Sequence, residues 1–204
     1  MNSGFINEDD CKSCMEELFR RSQNISDSWE LSRFNGKTYL TKKTLQTCSF
    51  KEDDVKNLKF DDFSDGIEHA HEDDNSVVCD DKNKQVLMFE YHVIYSESYS
   101  VPVLYFNVYR QDGSLLPLVK VWELVPEYFR ERLDEDKWTF LTQTEHPYIG
   151  RPFYQLHPCH TDKLMAAVSS VEQNPSGSPS NYLIGWLSSV GPVVLLNMPF
   201  EYVG

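Results

Sequence analysis

The segment His157-Pro158-Cys159-His160-Thr161 brings together several residue types that are suited to chemistry. Pro158 fixes its own φ and favours an extended backbone at His157. Thr161 is a candidate N-cap for a following helix, so Cys159 is expected on a stiff turn just before a helix N-terminus. A helix N-terminus and neighbouring imidazoles both favour the thiolate form of a cysteine.

Three interpretations of Cys159 stay open on this chemistry alone. It could be a buried structural residue, although Pro158 and two flanking histidines make a poor core environment. It could belong to a zinc site with His157, His160 and His146, although that spacing matches no standard zinc pattern. It could be an exposed nucleophile, which needs only an accessible and somewhat acidified thiol.

The other cysteines and histidines carry weaker signals. The chain has five cysteines, an odd number that does not suggest a disulfide framework. Cys11 and Cys14 fall on one face of a predicted helix, where packing explains them. His69 and His71 stand beside acidic residues but lack a rigid scaffold, so they do not predict a metal site.

Composition excludes two classes of partner. The chain has 204 residues, of which 40% are hydrophobic, and a net charge of −13 from 19 basic and 32 acidic residues. This acidity argues against binding to nucleic acid and against docking on anionic lipid. No apolar run approaches the roughly 18 residues that span a bilayer, and the first residues do not resemble a signal peptide. We expect a cytoplasmic protein without direct membrane insertion.

Hydrophobic periodicity predicts the elements that position Cys159. The order is a helix, four strands and further helices, which is the α+β class with one antiparallel sheet of about four strands flanked by helices. The strands are predicted over about 29–34, 37–50, 85–96 and 101–110, with a possible short strand over 139–143. The helices are predicted over about 8–24, 118–133, 161–171 and 181–189.

Turn and breaker residues refine this order. Asn35-Gly36 between the first two strands is typical of a type I′ hairpin turn. Pro126 is expected to break the helix predicted over 118–133. Prolines and a glycine predict a loop between about 147 and 158. The Ser/Pro/Gly-rich residues 174–180 predict a linker.

One segment differs sharply from the rest. Residues 52–84 contain twelve acidic residues and four lysines, and their few apolar residues show no sustained period. This composition predicts a flexible, solvated insertion. The sequence therefore predicts a single domain over residues 1–204, interrupted by an acidic insertion at about 52–84.

Four segments of the chain carry a family resemblance. They are Glu90-Tyr91-His92-Val93-Ile94-Tyr95-Ser96, Val101-Pro102-Val103-Leu104-Tyr105-Phe106, Leu156-His157-Pro158-Cys159 and Trp186-Leu187-Ser188-Ser189-Val190-Gly191-Pro192-Val193-Val194. Together they resemble the autophagy-related protein 10 family, the E2-like conjugating enzymes of the autophagy ubiquitin-like system. The resemblance runs from about Phe5 to Tyr202, is strongest after Gln85 and is weakest across the acidic segment.

The resemblance implies a fold and a reaction. The fold would be that of ubiquitin-conjugating (E2) enzymes. Cys159 would accept the C-terminal glycine of the ubiquitin-like autophagy-related protein 12 as a thioester, delivered by the E1-like autophagy-related protein 7. The acyl group would pass to a lysine of autophagy-related protein 5, in support of autophagosome formation. ATP would be consumed at the E1-like stage, so the resemblance implies no metal and no cofactor.

The oxyanion donor is not settled by the resemblance. Ordinary E2 enzymes use the Asn of a His-Pro-Asn motif, whereas this chain has Tyr148 at the corresponding place after His146-Pro147. Tyr148, Tyr95 and backbone N–H groups near Cys159 are the candidates. Two alternative functions remain: a catalytically silent E2-like docking module, and a modifier that reacts through Gly204.

Overall fold

The structure is a computed structural model that describes residues 4–50, 84–133, 140–161, 165 and 182–202. Its framework is a six-stranded antiparallel sheet in the order β1-β2-β3-β4-β6-β5. The strands are β1 (Trp29–Phe34), β2 (Lys37–Ser49), β3 (Lys84–Ser96), β4 (Val101–Tyr109), β5 (Leu141–Glu145) and β6 (Pro152–Leu156). The helices are α1 (Glu8–Asn24), α2 (Leu118–Leu124), α3 (Glu127–Leu133) and α4 (Tyr182–Val190). Short 3-10 helices cover Pro158–His160, Gly191–Val194 and Phe200–Tyr202.

Two of the turn and breaker predictions are confirmed, those for Asn35-Gly36 and Pro126. Asn35 and Gly36 connect β1 to β2 with φ values of 48° and 81°, the positive values that a type I′ turn requires. Pro126 falls between α2 and α3 and so divides the helical pattern in two. The proline lacks an N–H and its ring would collide with the preceding turn of a continuous helix.

The α+β class is confirmed, but the sheet has six strands where about four were predicted. The strand predicted over 139–143 lies two residues later, at β5. The second addition is β6, which falls within the loop predicted over about 147–158 from its prolines and glycine. Pro152 is tolerated there because it is the first residue of the strand, paired with Glu145, where few ladder hydrogen bonds are lost.

The main core lies on one face of the sheet. Tyr91 and Val93 of β3 point to this face and are fully buried. The Tyr91 hydroxyl donates to the carbonyl of Val194 at 2.8 Å, which ties the sheet to the C-terminal segment. Helix α1 covers β1 and β2 and contacts α4. Its buried stripe includes Cys11 and Cys14, in agreement with the packing role predicted for them.

The opposite face of the sheet is also covered. Glu90 and His92 alternate with the core residues of β3, yet they are only 6% and 4% exposed. The loop between β5 and β6 folds back over them and buries His146 as well, at 1% exposure. A polar cluster is therefore enclosed between this loop and the sheet.

Some predictions concern residues that the structure does not describe. The acidic insertion at 52–84, apart from Lys84 at the start of β3, lies outside the described residues, as do the linker over 174–180 and most of the helix over 161–171. The single-domain organisation stays a prediction. Within the described ranges, no helix is long and apolar enough to cross a membrane.

Candidate active site

Cys159 lies in a tight turn that follows the last residue of β6. The peptide N–H of His157 donates to the carbonyl of Phe140 at 2.9 Å, so the contact between the two ends of the β5–β6 hairpin continues up to the turn. The short 3-10 helix begins at Pro158, whose fixed φ suits a helical first residue that needs no N–H partner. The Thr161 N–H donates to the carbonyl of Pro158 and closes the turn.

The cap of this turn is His157. Thr161 was predicted as the N-cap of the helix that follows the turn, and most of that helix lies outside the described residues. Thr161 has helical backbone angles, φ −63° and ψ −40°, whereas an N-cap residue needs an extended backbone. His157 has φ −67° and ψ 130°, and its Nδ1 accepts the Cys159 N–H at 3.2 Å. Cys159 therefore lies inside the short helix, and Nδ1 of His157 satisfies its peptide N–H.

Tyr99 is a neighbour of this turn that sequence reasoning missed. It lies in the connection between β3 and β4, is 43% exposed, and packs edge-on against the His157 ring with centroids 5.7 Å apart. The only sign of Tyr99 in the sequence was that it is a large aromatic residue in the predicted connection between two strands. Nothing in the sequence pairs that turn with residue 157, because only the sheet order brings the start of β4 beside the Cys159 turn.

Exposure separates Cys159 from the other described cysteines. Cys159 is exposed, whereas Cys11, Cys14 and Cys48 are buried. Burial raises the pKa of the Cys14 thiol to about 11 and also raises the pKa values of Cys11 and Cys48. A thiol with a raised pKa is a poor nucleophile near pH 7 because the thiolate is the reactive form. Among the described cysteines, Cys159 is the one placed to react.

An apolar cavity of about 190 Å³ opens beside the turn. It is lined by Pro102, Phe140, Leu156, His157, Thr161, Trp186 and Val190. These residues come from β4, the β5–β6 hairpin and α4, so the cavity lies where the sheet meets the C-terminal helix. It gives His157 one apolar side and one side open to solvent.

The second His-Pro pair, His146-Pro147, forms a different kind of site. His146 Nδ1 accepts the peptide N–H groups of Tyr148 and Ile149 at 3.2 and 3.3 Å. Its Nε2 lies 2.8 Å from Nδ1 of His92. Since His146 Nδ1 is an acceptor, a neutral His146 carries its proton on Nε2 and donates it to His92.

The polar cluster continues to Glu90. With Nδ1 as acceptor, neutral His92 carries its proton on Nε2, which lies 3.6 Å from the Glu90 carboxylate. This contact with His92, together with Lys43, lowers the pKa of Glu90 to about 2. Burial lowers the pKa of His146 to about 4. The arrangement holds the loop on the sheet and gives His146 no free ring nitrogen for a metal ion.

Tyr148 is not brought to Cys159. Its ring packs against Phe34 and Tyr39, with centroids 5.7 and 5.2 Å away. These partners belong to β1 and β2, and β3 and β4 lie between β2 and β6. At about 4.8 Å per strand, β2 is roughly 14 Å from the strand that leads to Cys159.

Tyr95 lies nearer to the reactive turn. It pairs with Pro102, which lines the cavity beside His157, but its ring packs against the main core. Over the described part of the chain, no hydrogen bond joins Tyr95 or Tyr148 to Cys159. The described residues also contain no group of three side chains that could hold a metal ion, so they give no support to the zinc interpretation of Cys159.

Comparison with known proteins identifies the family. Residues 10–201 match the family model described as "Autophagocytosis associated protein, active-site domain". The "Ubiquitin-like-conjugating enzyme ATG10" of Homo sapiens is 38% identical over 97% of this chain and 92% of its own length. The chain belongs to the ATG10 family. The Arabidopsis thaliana member of the ATG10 family is 35% identical over 78% of this chain and 72% of its own length.

A solved structure supports the same fold. "Crystal structure of Autophagic E2, Atg10" superposes with a TM-score of 0.51 at 14% identity and covers 95% of this chain and 99% of that chain. The predicted E2-like fold and the predicted membership of the ATG10 family are confirmed. This chain is an E2-like conjugating enzyme of autophagy, and the active-site domain of its family includes the Cys159 turn.

Proposed function

We propose that Cys159 is the acyl acceptor of this conjugating enzyme. In the proposed reaction, Cys159 receives the C-terminal glycine of the ubiquitin-like autophagy-related protein 12 from the E1-like autophagy-related protein 7. The enzyme then transfers this glycine to a lysine of autophagy-related protein 5 in the cytoplasm, in support of autophagosome formation.

The observation that carries the proposal is the exposure of Cys159 on a fixed turn. The thiol is accessible, whereas the other described cysteines are buried and have raised pKa values. Its backbone is held by Pro158 and by the hydrogen bond to His157. A nucleophile that must meet a bulky acylated partner needs both access and a fixed orientation.

The chemistry suits a thiol. In loading, the Cys159 thiolate attacks the E1-like thioester, so that one C–S bond forms and another breaks with release of the E1-like thiol. The bond energy changes little, and loading is therefore reversible in principle. The thioester stays activated toward an amine, because a thiolate leaves more readily than the alkoxide of an oxyester. A lysine amine can therefore displace Cys159 and form the isopeptide bond.

Loading can be tested on a gel. We expect the enzyme to form an adduct with autophagy-related protein 12 when autophagy-related protein 7 and ATP are present, and we expect thiol reductant to remove it. Cys159→Ala should abolish the adduct. Matched Cys11→Ala and Cys79→Ala variants should load within about twofold of the unchanged enzyme, since neither thiol takes part.

Two results would count against the proposal. A reductant-sensitive adduct that persists in Cys159→Ala would move the nucleophile to another cysteine. An enzyme that binds autophagy-related proteins 7 and 5 but never forms an adduct would be the docking module that the sequence left as an alternative.

A further inference from the structure

The peptide N–H of Cys159 is already engaged. It donates to Nδ1 of His157 at 3.2 Å. The N–H of Thr161 is also engaged, because it donates to the carbonyl of Pro158. An oxyanion that forms on an acyl group at Cys159 needs a hydrogen-bond donor that is not already satisfied. These two backbone donors do not meet that condition.

His157 offers a donor at this place. Because its Nδ1 accepts a peptide N–H, the neutral ring carries its proton on Nε2. No hydrogen-bond acceptor contacts that Nε2 within the part of the chain that the structure describes. The ring is also held in one orientation, by the bond to Cys159 on one edge and by the Tyr99 ring at 5.7 Å.

We propose that His157 is the oxyanion donor of the reaction, through Nε2–H, while its Nδ1 fixes the turn that carries Cys159. The inference rests on the proposed role of Cys159 as acyl acceptor. His157 differs in this from Tyr148, whose partners are on β1 and β2, and from Tyr95, whose partly buried ring packs against the core. The hydrogen bond from the Cys159 N–H to Nδ1 ties the His157 ring to the backbone of the nucleophile.

The donor acts at a defined step. A neutral amine attacks the thioester carbonyl, the new C–N bond forms and the carbonyl oxygen becomes an oxyanion that accepts the Nε2–H bond. The C–S bond then breaks, the electron pair returns to the sulfur of Cys159, and the nitrogen loses its extra proton to solvent. His157 keeps its own proton throughout, so its contribution is electrostatic.

The test uses a chemically loaded full-length enzyme, so that it does not depend on the natural partners. In a Cys79→Ser background, Cys159 is acylated by exchange with a short synthetic peptide thioester that ends in glycine. Discharge to free lysine is then followed by mass spectrometry in a single turnover. His157→Ala should slow discharge by about 10²–10³-fold, the usual loss for one oxyanion donor.

Two conservative variants separate the roles of the two ring nitrogens. His157→Asn keeps a side-chain oxygen that can accept the Cys159 N–H, as N-cap asparagines do, but it has no donor at the Nε2 position. We therefore expect His157→Asn to acylate normally and to discharge about as slowly as His157→Ala. His157→Gln places an amide donor near the Nε2 position, so it should discharge faster than His157→Asn. Discharge of His157→Asn at the unchanged rate would overturn the proposal.

Two further readouts complete the test. Nitrogen-15 NMR of the free enzyme should show His157 with Nδ1 unprotonated, and the opposite tautomer would overturn the proposal. Tyr99→Phe keeps the ring contact and should discharge within about twofold, whereas a 10²-fold loss would assign the donor to the Tyr99 hydroxyl instead. Failure of natural loading on Cys159 would count against the proposed function, whereas discharge of the chemically loaded enzyme that does not depend on His157 would overturn this inference.

Discussion

The chain contains two turns that begin with His-Pro, and they have similar local geometry in different surroundings. In both turns the histidine Nδ1 accepts the N–H of the residue two positions later, at 3.2 Å for Tyr148 and 3.2 Å for Cys159. The Nε2 of His146 faces His92 in a buried cluster, whereas that of His157 faces no acceptor among the described residues. The local motif builds a capped turn, and the surroundings decide whether that turn is structural or reactive.

The third residues of the two turns, Tyr148 and Cys159, differ in the same way as the histidines. Tyr148 packs its ring against the aromatic residues of β1 and β2 and so locks the first turn to the sheet. Cys159 is exposed and packs against little. We therefore expect the first turn to contribute to stability and the second to chemistry.

The largest expected contrast comes from replacing the third residue of each turn. Cys159→Ala should abolish adduct formation and leave the free energy of unfolding within about 0.5 kcal/mol, as for other exposed substitutions. Tyr148→Ala should still load, but it should lower the free energy of unfolding by about 2 kcal/mol through lost aromatic packing. Loading gels and urea unfolding check both. Loss of loading in folded Tyr148→Ala would erase the distinction between the turns.

Thiol labelling gives the next contrast. In a Cys79→Ser variant, Cys159 should react with iodoacetamide at least about 100-fold faster than Cys11, Cys14 and Cys48, because the buried thiols have raised pKa values and become accessible only on opening. Peptide mapping after timed labelling measures the order. In denaturant all four should react alike, and slow labelling of Cys159 in the folded protein would contradict its exposed position.

The two histidines should differ in their effects on stability. His146→Ala removes the acceptor for two peptide N–H groups and the donor to His92, so it should lower the free energy of unfolding by about 3 kcal/mol. His157→Ala removes one exposed N-cap acceptor and should cost about 1 kcal/mol. Equal losses of unfolding free energy in denaturant would show that the two turns contribute equally to stability.

Acid should weaken the buried turn specifically. The pKa of His146 is about 4 in the folded protein against 6.5 for an unperturbed histidine, so only the unfolded chain takes up the proton as the pH falls from 6.5 to 4. Stability is therefore full above pH 6.5 and should fall by on the order of 3 kcal/mol over that window. His146→Asn should flatten this slope. The contribution of Glu90, whose pKa is lowered to about 2, is lost below pH 4.5.

The smallest effects are expected from the tyrosine hydroxyls. Tyr148→Phe and Tyr95→Phe keep the rings that pack against β1, β2 and the core, and neither hydroxyl hydrogen-bonds to the Cys159 turn in the described structure. Discharge of loaded enzyme should stay within about twofold of the unchanged rate in both variants. Single-turnover discharge measures this, and a loss of about 100-fold in either one would restore that tyrosine as the oxyanion donor.

Local signals in the sequence predicted the elements well where one rule dominated. The Asn35-Gly36 turn and the break at Pro126 follow from backbone conformations that few residues adopt or tolerate. β6 was missed because its single proline was weighed as a loop residue, whereas its place at the first pairing position makes it compatible with a strand. Single-residue rules fail where position within the element decides.

The candidate site also has parts that could be predicted from local sequence and parts that could not. The Cys159 turn could be selected as a candidate from its own residues, because proline, histidine and cysteine stand next to one another. Their chemistry left three interpretations open, and the family resemblance favoured the nucleophile. The remote position of Tyr148 and the presence of Tyr99 could not, since both depend on which strands lie between β2 and β6 and on which turn meets the end of β6. Spacing along the chain carries no information on that sheet order.

The role of Cys159 is tested most directly by the variant Cys159→Ser. A serine oxyester resists thiol reductants because an alkoxide leaves less readily than a thiolate. With autophagy-related proteins 7 and 12 and ATP, we expect Cys159→Ser to form an adduct that survives reductant and that mass spectrometry maps to residue 159. An adduct that is still removed by reductant, or that maps to another residue, would contradict the assignment.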